Sequence, residues 1–238
     1  FATIVGAVRE GRTIYENILK FVRFQLSTNI GALMTMFLAA LLELPDPFTP
    51  IQILWVNIIM DGPPAMALGL EPTRPETMAE PPRKPGAQIL TWPRLARVVF
   101  LGAVMVAGSL VMLVKARAPM GQPAALTMTF SAFVLFQVFN VFNARAERGS
   151  IVSPQFFHNR TLWFSVLGVC VLQVVAVQWG PAEEIFSTVP LSLAQWGWVV
   201  AMAASIVVLE ELRKLGARLL AARTAAAPRA LPASGARP

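Results

Sequence analysis

Charge is what this chain has least of. Only 14% of its 238 residues are Asp, Glu, Lys or Arg, against roughly 25% in soluble domains. With 55% hydrophobic residues and a mean hydropathy of +0.59, that deficit identifies an integral membrane protein. Cysteine is represented once, by Cys170 inside an apolar run, so neither a disulfide nor a thiolate metal site is expected. The single histidine, His158, sits in a polar connector, where a surface residue is the default reading. The formal charge of +7 is not a nucleic-acid signature, because the basic residues lie between apolar runs and in the tail. No signal peptide or targeting motif is visible and the first residue is Phe, so the sequence reads as a piece of a longer polypeptide.

What is present is a series of apolar runs of membrane-crossing length. Six are expected as spans, at 21–43, 51–70, 95–114, 124–143, 161–179 and 191–209. The fold class is therefore all-α, a polytopic bundle. Residues 1–20 differ, because Arg9, Glu10, Arg12, Glu16 and Lys20 alternate with Ile4, Val8, Ile14 and Ile18 at helical spacing. This predicts a stalk helix that runs into the first span; an amphipathic helix lying flat on the membrane is the alternative. The organisation that follows is a stalk at 1–20, a first helix pair at 21–70, a polar loop at 71–94, a four-helix unit at 95–214 and a disordered basic tail at 215–238. A turn is expected from Lys115 to Pro123. Gly102, Ala103, Ala107 and Gly108 suit close helix packing, and Gln137 with Asn140 suits hydrogen bonding between helices.

Charge placement sets the expected orientation. The stalk, the 71–94 loop, the 144–160 connector and the tail hold nearly all the Lys and Arg, while the opposite loops carry Glu43, Asp46, Glu183 and Glu184 against Lys115 and Arg117. The positive-inside rule then puts both termini in the cytosol. No fixed-period repeat, heptad array or inverted symmetry between halves is evident.

The chemistry concentrates in Gln52-Ile-Leu-Trp-Val-Asn-Ile-Ile-Met-Asp-Gly-Pro-Pro-Ala65. An Asp at the centre of a membrane helix costs roughly 2.5–3.5 kcal/mol, so Asp61 is expected to face the bundle interior and to be functional. On an α-helix, Asn57 and Asp61 share a face. Pro63 and Pro64 lack N–H groups and crowd the carbonyls of Ile59 and Met60, so the helix should break there. Broken helices persist in membranes where they line a polar cavity or an ion site. Two side-chain oxygens and loosened carbonyls suit a hard cation such as Ca²⁺. A proline-kinked helix whose Asp makes a structural hydrogen bond is the alternative. Gln25, Ser27, Thr28 and Asn29, at one depth of the first span, could reach the same cavity or serve helix packing.

With those residues in view, the chain resembles the C-terminal half of a P-type cation-transporting ATPase of the calcium-pump branch. The resemblance runs from FATIVGAVREGRTIYENILKFVRFQLSTN through ILWVNIIMDGPPAMALGLEP and PLSLAQWGWVV to VVLEELRK. The form IIMDGPPA, with FQLST upstream, is similar to the secretory-pathway Ca²⁺/Mn²⁺ pumps and their bacterial relatives. The resemblance implies that the six spans are the fifth to tenth helices of a ten-helix pump and that residues 1–20 are its cytosolic stalk. It implies that Asn57 and Asp61 are cation ligands on the sixth helix and that Asn29 matches a ligand position on the fifth. Met60 stands where two-site pumps carry Thr, Ala32 and Gln137 stand where they carry Glu, and Met66 stands where Mn²⁺-transporting fungal members carry Gln. Loss of two carboxylates implies one divalent cation per cycle, Ca²⁺ with Mn²⁺ as second candidate.

The sequence contains no DKTGT-type phosphorylation loop. The resemblance therefore places the catalytic aspartate, the ATP and Mg²⁺ sites, the actuator, nucleotide and phosphorylation domains and the first four helices in a missing N-terminal half. The 238 residues alone are then expected to be inactive, with no catalytic residue of their own. The expected partners are that half and the lipid bilayer, with no nucleic acid. Ala/Arg/Pro-rich composition hints at a bacterial cell membrane. Two other readings stay open: an ATP-independent cation or proton transporter that uses Asp61 as a relay, and a non-transporting membrane fragment.

Overall fold

The computed structural model describes the backbone of residues 1–60, 62–82, 86, 88–146 and 159–226. Asp61, residues 83–85, 87, 147–158 (with Arg148 and His158) and 227–238, and the side chains of Met60, Pro75 and residues 221–226, lie outside that set. The described residues form helices and connectors, with no strand among them. Six helical stretches are long and apolar enough to cross a membrane: Ala2–Leu41, Pro50–Gly69, Trp92–Met120, Gln122–Arg145, Arg160–Gln178 and Leu193–Leu220.

Helix α1 (Ala2–Leu41) carries the stalk segment and the first span as one element of 40 residues. At 1.5 Å per residue it is about 60 Å long, twice the ~30 Å hydrocarbon core. Its N-terminal half packs through its polar face. Ile4, Val8, Ile14 and Ile18 are exposed, whereas Thr13, Asn17 and Lys20 are buried. The covering segment is 69–80. Arg12 Nη1 donates to the carbonyls of Thr77 (3.0 Å) and Glu80 (2.7 Å), Thr13 Oγ1 donates to Thr73 Oγ1 (2.9 Å), and Arg74 pairs with Glu16 at 2.8 Å. Burial works against the Arg74 charge, but the hydrogen bond and charge of Glu16, with Glu80 and Glu76 nearby, outweigh it and hold the pKa above the usual guanidinium value.

The second span is broken into α2 (Pro50–Trp55), a π turn (Val56–Met60) and α3 (Pro63–Gly69). A 3₁₀ turn (Pro75–Met78) follows, within the stretch expected to hold no packed helix. Its Pro75 pre-sets the backbone, and Arg12 binds its Thr77 carbonyl. Helix α4 (Trp92–Met120) passes through the turn expected at 115–123. The reversal is compressed to Gly121 alone, at φ 81°, a conformation that glycine adopts without strain. Pro119 lies in the last turn of α4, where its missing N–H leaves the Lys115 carbonyl without its α-helical donor.

Helix α5 (Gln122–Arg145) is buried on nearly all sides and is the core of the bundle. Its neighbours include α1, α4 and α8. A Cβ on Gly102 would sit 3.0 Å from Ile30 Cγ2, and one on Gly108 would overlap the Phe136 ring. The two glycines of α4 thus admit α1 and α5 respectively, while Ala103 and Ala107 are exposed and pack against nothing closely. Helix α6 (Arg160–Gln178) starts at Asn159, whose side chain accepts from Leu162 N. The unanticipated α7 (Gly180–Phe186) begins with Pro181 in its first turn. Helix α8 (Leu193–Ala226) continues into the segment expected to be disordered from 215. Residues 216–226 are rich in Ala, Leu and Arg, strong helix formers that extend the exit helix.

Candidate cation site

The broken span is built from its ends inward. Thr49 caps α2 with a reciprocal box: its side chain accepts from Gln52 N (3.3 Å), and Gln52 Oε1 accepts from Thr49 N (3.1 Å). Gln52 Nε2 also donates to the Phe186 carbonyl at 2.7 Å, and the Trp55 and Phe186 rings meet edge-on with centroids 4.7 Å apart. Trp55 Nε1 donates to Gln173 Oε1 (3.1 Å), and Gln173 Nε2 donates to Ser131 Oγ (3.3 Å). These contacts fix α2 against α7, α6 and α5. At the other end, Asn17 Nδ2 donates to Gly69 O (3.2 Å) and Asn159 Nδ2 to Ala67 O (2.9 Å), which fixes α3 against α1 and the start of α6.

Between the two anchored halves the helix widens. The disruption expected at Gly-Pro-Pro begins earlier, as a π turn that contains Asn57; such turns are rare and concentrate at functional sites. Pro63 and Pro64 open α3, where their missing N–H groups remove no bond within α3 itself. Ile59 is the residue most affected. Its α-helical donor would come from position 63 and its π-helical donor from position 64, and both are proline. The Ile59 carbonyl therefore has no helical donor in either geometry. Gly62 adopts φ −79°, ψ −91°, and a Cβ there would stand 2.6 Å from the Ile58 carbonyl oxygen, so this close approach requires glycine.

Asn57 and Asn29 are both exposed on the described surface and form no hydrogen bond with each other. Asp61 and the Met60 side chain lie outside the described residues. The shared face for Asn57 and Asp61 assumed an α-helix, and the π turn changes the angular step along this stretch. The hydroxyls of the first span donate to carbonyls of their own helix, while Gln25 Oε1 is buried without a partner among the described residues. Ser27 Oγ donates to Phe24 O (2.9 Å), Thr28 Oγ1 to Gln25 O (2.9 Å) and Thr35 Oγ1 to Gly31 O (2.6 Å). Ala32 is half-buried and Met66 is exposed. Among the described residues no group of three or more His, Cys, Asp or Glu side chains could hold a metal.

On α5 the expectation of hydrogen bonds between helices divides. Asn140 Nδ2 donates to Ser27 Oγ on α1 (2.8 Å), and Asn143 Nδ2 to Ile206 O on α8 (3.3 Å). Gln137 is fully buried, yet neither Oε1 nor Nε2 has a hydrogen-bond partner among the described residues. Asn140 Oδ1, one turn further along α5, is likewise buried without a partner among the described residues.

Sequence reasoning missed Glu71. It is buried at 8% exposure, its carboxylate receives Arg145 Nε and Asn159 Nδ2, and its own carbonyl receives Asn17 Nδ2. Its position in a proline-rich polar loop gave no signal, because the donors come from residues 54 to 88 positions away.

Comparison with known proteins agrees with this architecture. Residues 45–216 match the family described as cation transporting ATPase, C-terminus. The chain is 40% identical over 222 residues to mouse calcium-transporting ATPase type 2C member 2, covering 92% of this chain and 24% of that protein. It is 37% identical over 215 residues to human calcium-transporting ATPase type 2C member 1, covering 90% and 23%. Yeast calcium-transporting ATPase 1 is 38% identical over 221 residues, covering 92% and 23%. The chain thus spans about a quarter of the length of these relatives. It belongs to the P-type cation-transporting ATPases, and its six membrane-length helices are those of their C-terminal membrane domain.

Proposed function

We propose that these residues form the transport half of an ATP-driven Ca²⁺ pump with a single divalent-cation site, Mn²⁺ being a second substrate. The observation that carries the reading is the interruption of the second span. A membrane helix anchored at both ends opens into a π turn at Asn57 and ends at two prolines that strip the Ile59 carbonyl of a helical donor. Asp61 would supply the negative charge, Asn57 a neutral oxygen and Ile59 a carbonyl oxygen, all hard ligands suited to Ca²⁺. Asn29 and the Met60 backbone would lie near the ion. The names of the mouse, human and yeast relatives support calcium as the cargo. Phosphorylation by ATP with Mg²⁺ would take place in parts of the pump beyond these 238 residues, and this piece alone would not hydrolyse ATP. Movement there would reach the membrane through α1, since its two halves form one helix. Both termini would face the cytosol. The relatives named are animal and yeast proteins, so a bacterial cell membrane rests on composition alone.

The test is Ca²⁺-dependent phosphorylation by ATP of the full-length protein. Asp61→Asn should abolish it. Phosphorylation at the wild-type level and Ca²⁺ dependence would remove the reading.

A further inference from the structure

We propose that Glu71 is a positioning residue for the cation site: a latch that fixes the C-terminal end of α3 and transmits the displacement of α1 to it. This rests on the pump reading above. The two carboxylate oxygens of Glu71 are held from two different places. Oε1 takes Arg145 Nε at the end of α5, and Oε2 takes Asn159 Nδ2 at the cap of α6, at 2.8 Å. Asn159 also ties its donor to Ala67 O, inside α3, so one amide grips both the helix and the residue that follows it. From the opposite side, Asn17 Nδ2 on α1 takes the main-chain carbonyl of Glu71 at 2.8 Å, while Asn17 Oδ1 accepts from Lys20 Nζ at 3.1 Å. Four helices therefore converge on a single buried residue.

The consequence follows from the length of α3. It has seven residues, about two turns, and such a short helix moves as a rigid bar. One end of the bar is Gly62 and the π turn; the other is held at Glu71. The position of the turn, and so of its oxygens, depends on where the latch holds the bar. Arg145 and Asn159 belong to α5 and α6, which pack within the bundle, whereas Asn17 belongs to the helix that extends beyond it. Movement of α1 relative to α5 and α6 must then load Glu71. A carboxylate suits this role because both its oxygens accept, whereas Gln offers one acceptor and presents a donor to the second incoming N–H.

The experiment titrates Ca²⁺ against phosphorylation by ATP in the full-length protein, for wild type, Glu71→Gln and Asn17→Ala. The half-saturating Ca²⁺ concentration should rise about tenfold in Glu71→Gln, on the scale of losing hydrogen bonds to a charged group. It should rise about threefold in Asn17→Ala, while the maximal phosphoenzyme per folded protein stays near wild type. A merely structural residue would lower that maximum without moving half-saturation. Should Glu71→Gln fail to fold, Asn17→Ala decides, since it removes the hydrogen bonds of Asn17 to the Gly69 and Glu71 carbonyls and leaves the Glu71 carboxylate with Arg145 and Asn159 intact. Unshifted half-saturation beside a normal wild-type response overturns the latch and leaves the pump reading standing. A wild type that shows no cation-dependent phosphorylation removes both.

Discussion

The carbonyl oxygen of Ile58 lies 2.6 Å from where a Cβ on Gly62 would stand. That approach is main chain against main chain, so no side-chain rotation relieves it. Gly62→Ala should force the π turn and α3 apart, and overpacking of this kind costs about 1–3 kcal/mol. The same shift would move the Ile59 carbonyl. Ca²⁺ titration of phosphorylation in the full-length protein should show at least a tenfold loss of apparent affinity, with a lowered thermal midpoint in detergent. Wild-type behaviour in both would show that the glycine is not needed for the turn.

Gly108→Ala provides a contrast far from the proposed site. A methyl group there overlaps Phe136, a ring held fully buried in the core, and the expected loss is again about 1–3 kcal/mol. Gly102→Ala meets the Cγ2 methyl of Ile30 and the Ser27 carbonyl at 3.0–3.3 Å, a smaller overlap than the 2.2 Å approach to Phe136, and should cost less. Thermal unfolding of the two purified variants checks the order.

Asn140 and Ser27 join α5 to α1 at 2.8 Å in the buried interior. Hydrogen bonds between membrane helices average about 0.6 kcal/mol and reach about 1.7 kcal/mol in double-mutant cycles. A cycle of Asn140→Leu with Ser27→Ala should give a coupling in that range, and a coupling near zero would mean that the bond does not hold the helices.

Gln137 tests the one-ion claim from the other side. Its amide is buried without partners among the described residues, so Gln137→Met should leave stability unchanged or raise it. With a single cation held at the broken span, the variant should keep its apparent Ca²⁺ affinity within about twofold. A tenfold loss would make Gln137 a ligand and add a second site.

The membrane architecture was legible because hydropathy records it directly: each of the six apolar runs lies in a membrane-length helix, although the first helix starts 19 residues before its expected span and the last runs at least 11 residues beyond it. The break in the second span could be placed near the prolines, since a missing N–H is a local property of the sequence. The π turn could not, because Val-Asn-Ile-Ile-Met carries no local mark that separates a π from an α turn. Helix α7 was hidden by its length, seven residues that begin with Gly-Pro. Asn140 and Gln137 looked alike in the sequence, one helical turn apart, and only the opposing helices decide that Ser27 meets the first and nothing meets the second. Glu71 shows the same limit most clearly: its partners are Asn17, Arg145 and Asn159, which only the fold brings together.

The number of ions held is the most direct test of a single-site pump. Equilibrium binding of radioactive Ca²⁺ to the full-length protein, scaled to the phosphoenzyme it forms, should give about one ion per molecule in the wild type and none in Asp61→Asn. Two ions per molecule, or one still bound in Asp61→Asn, would contradict it.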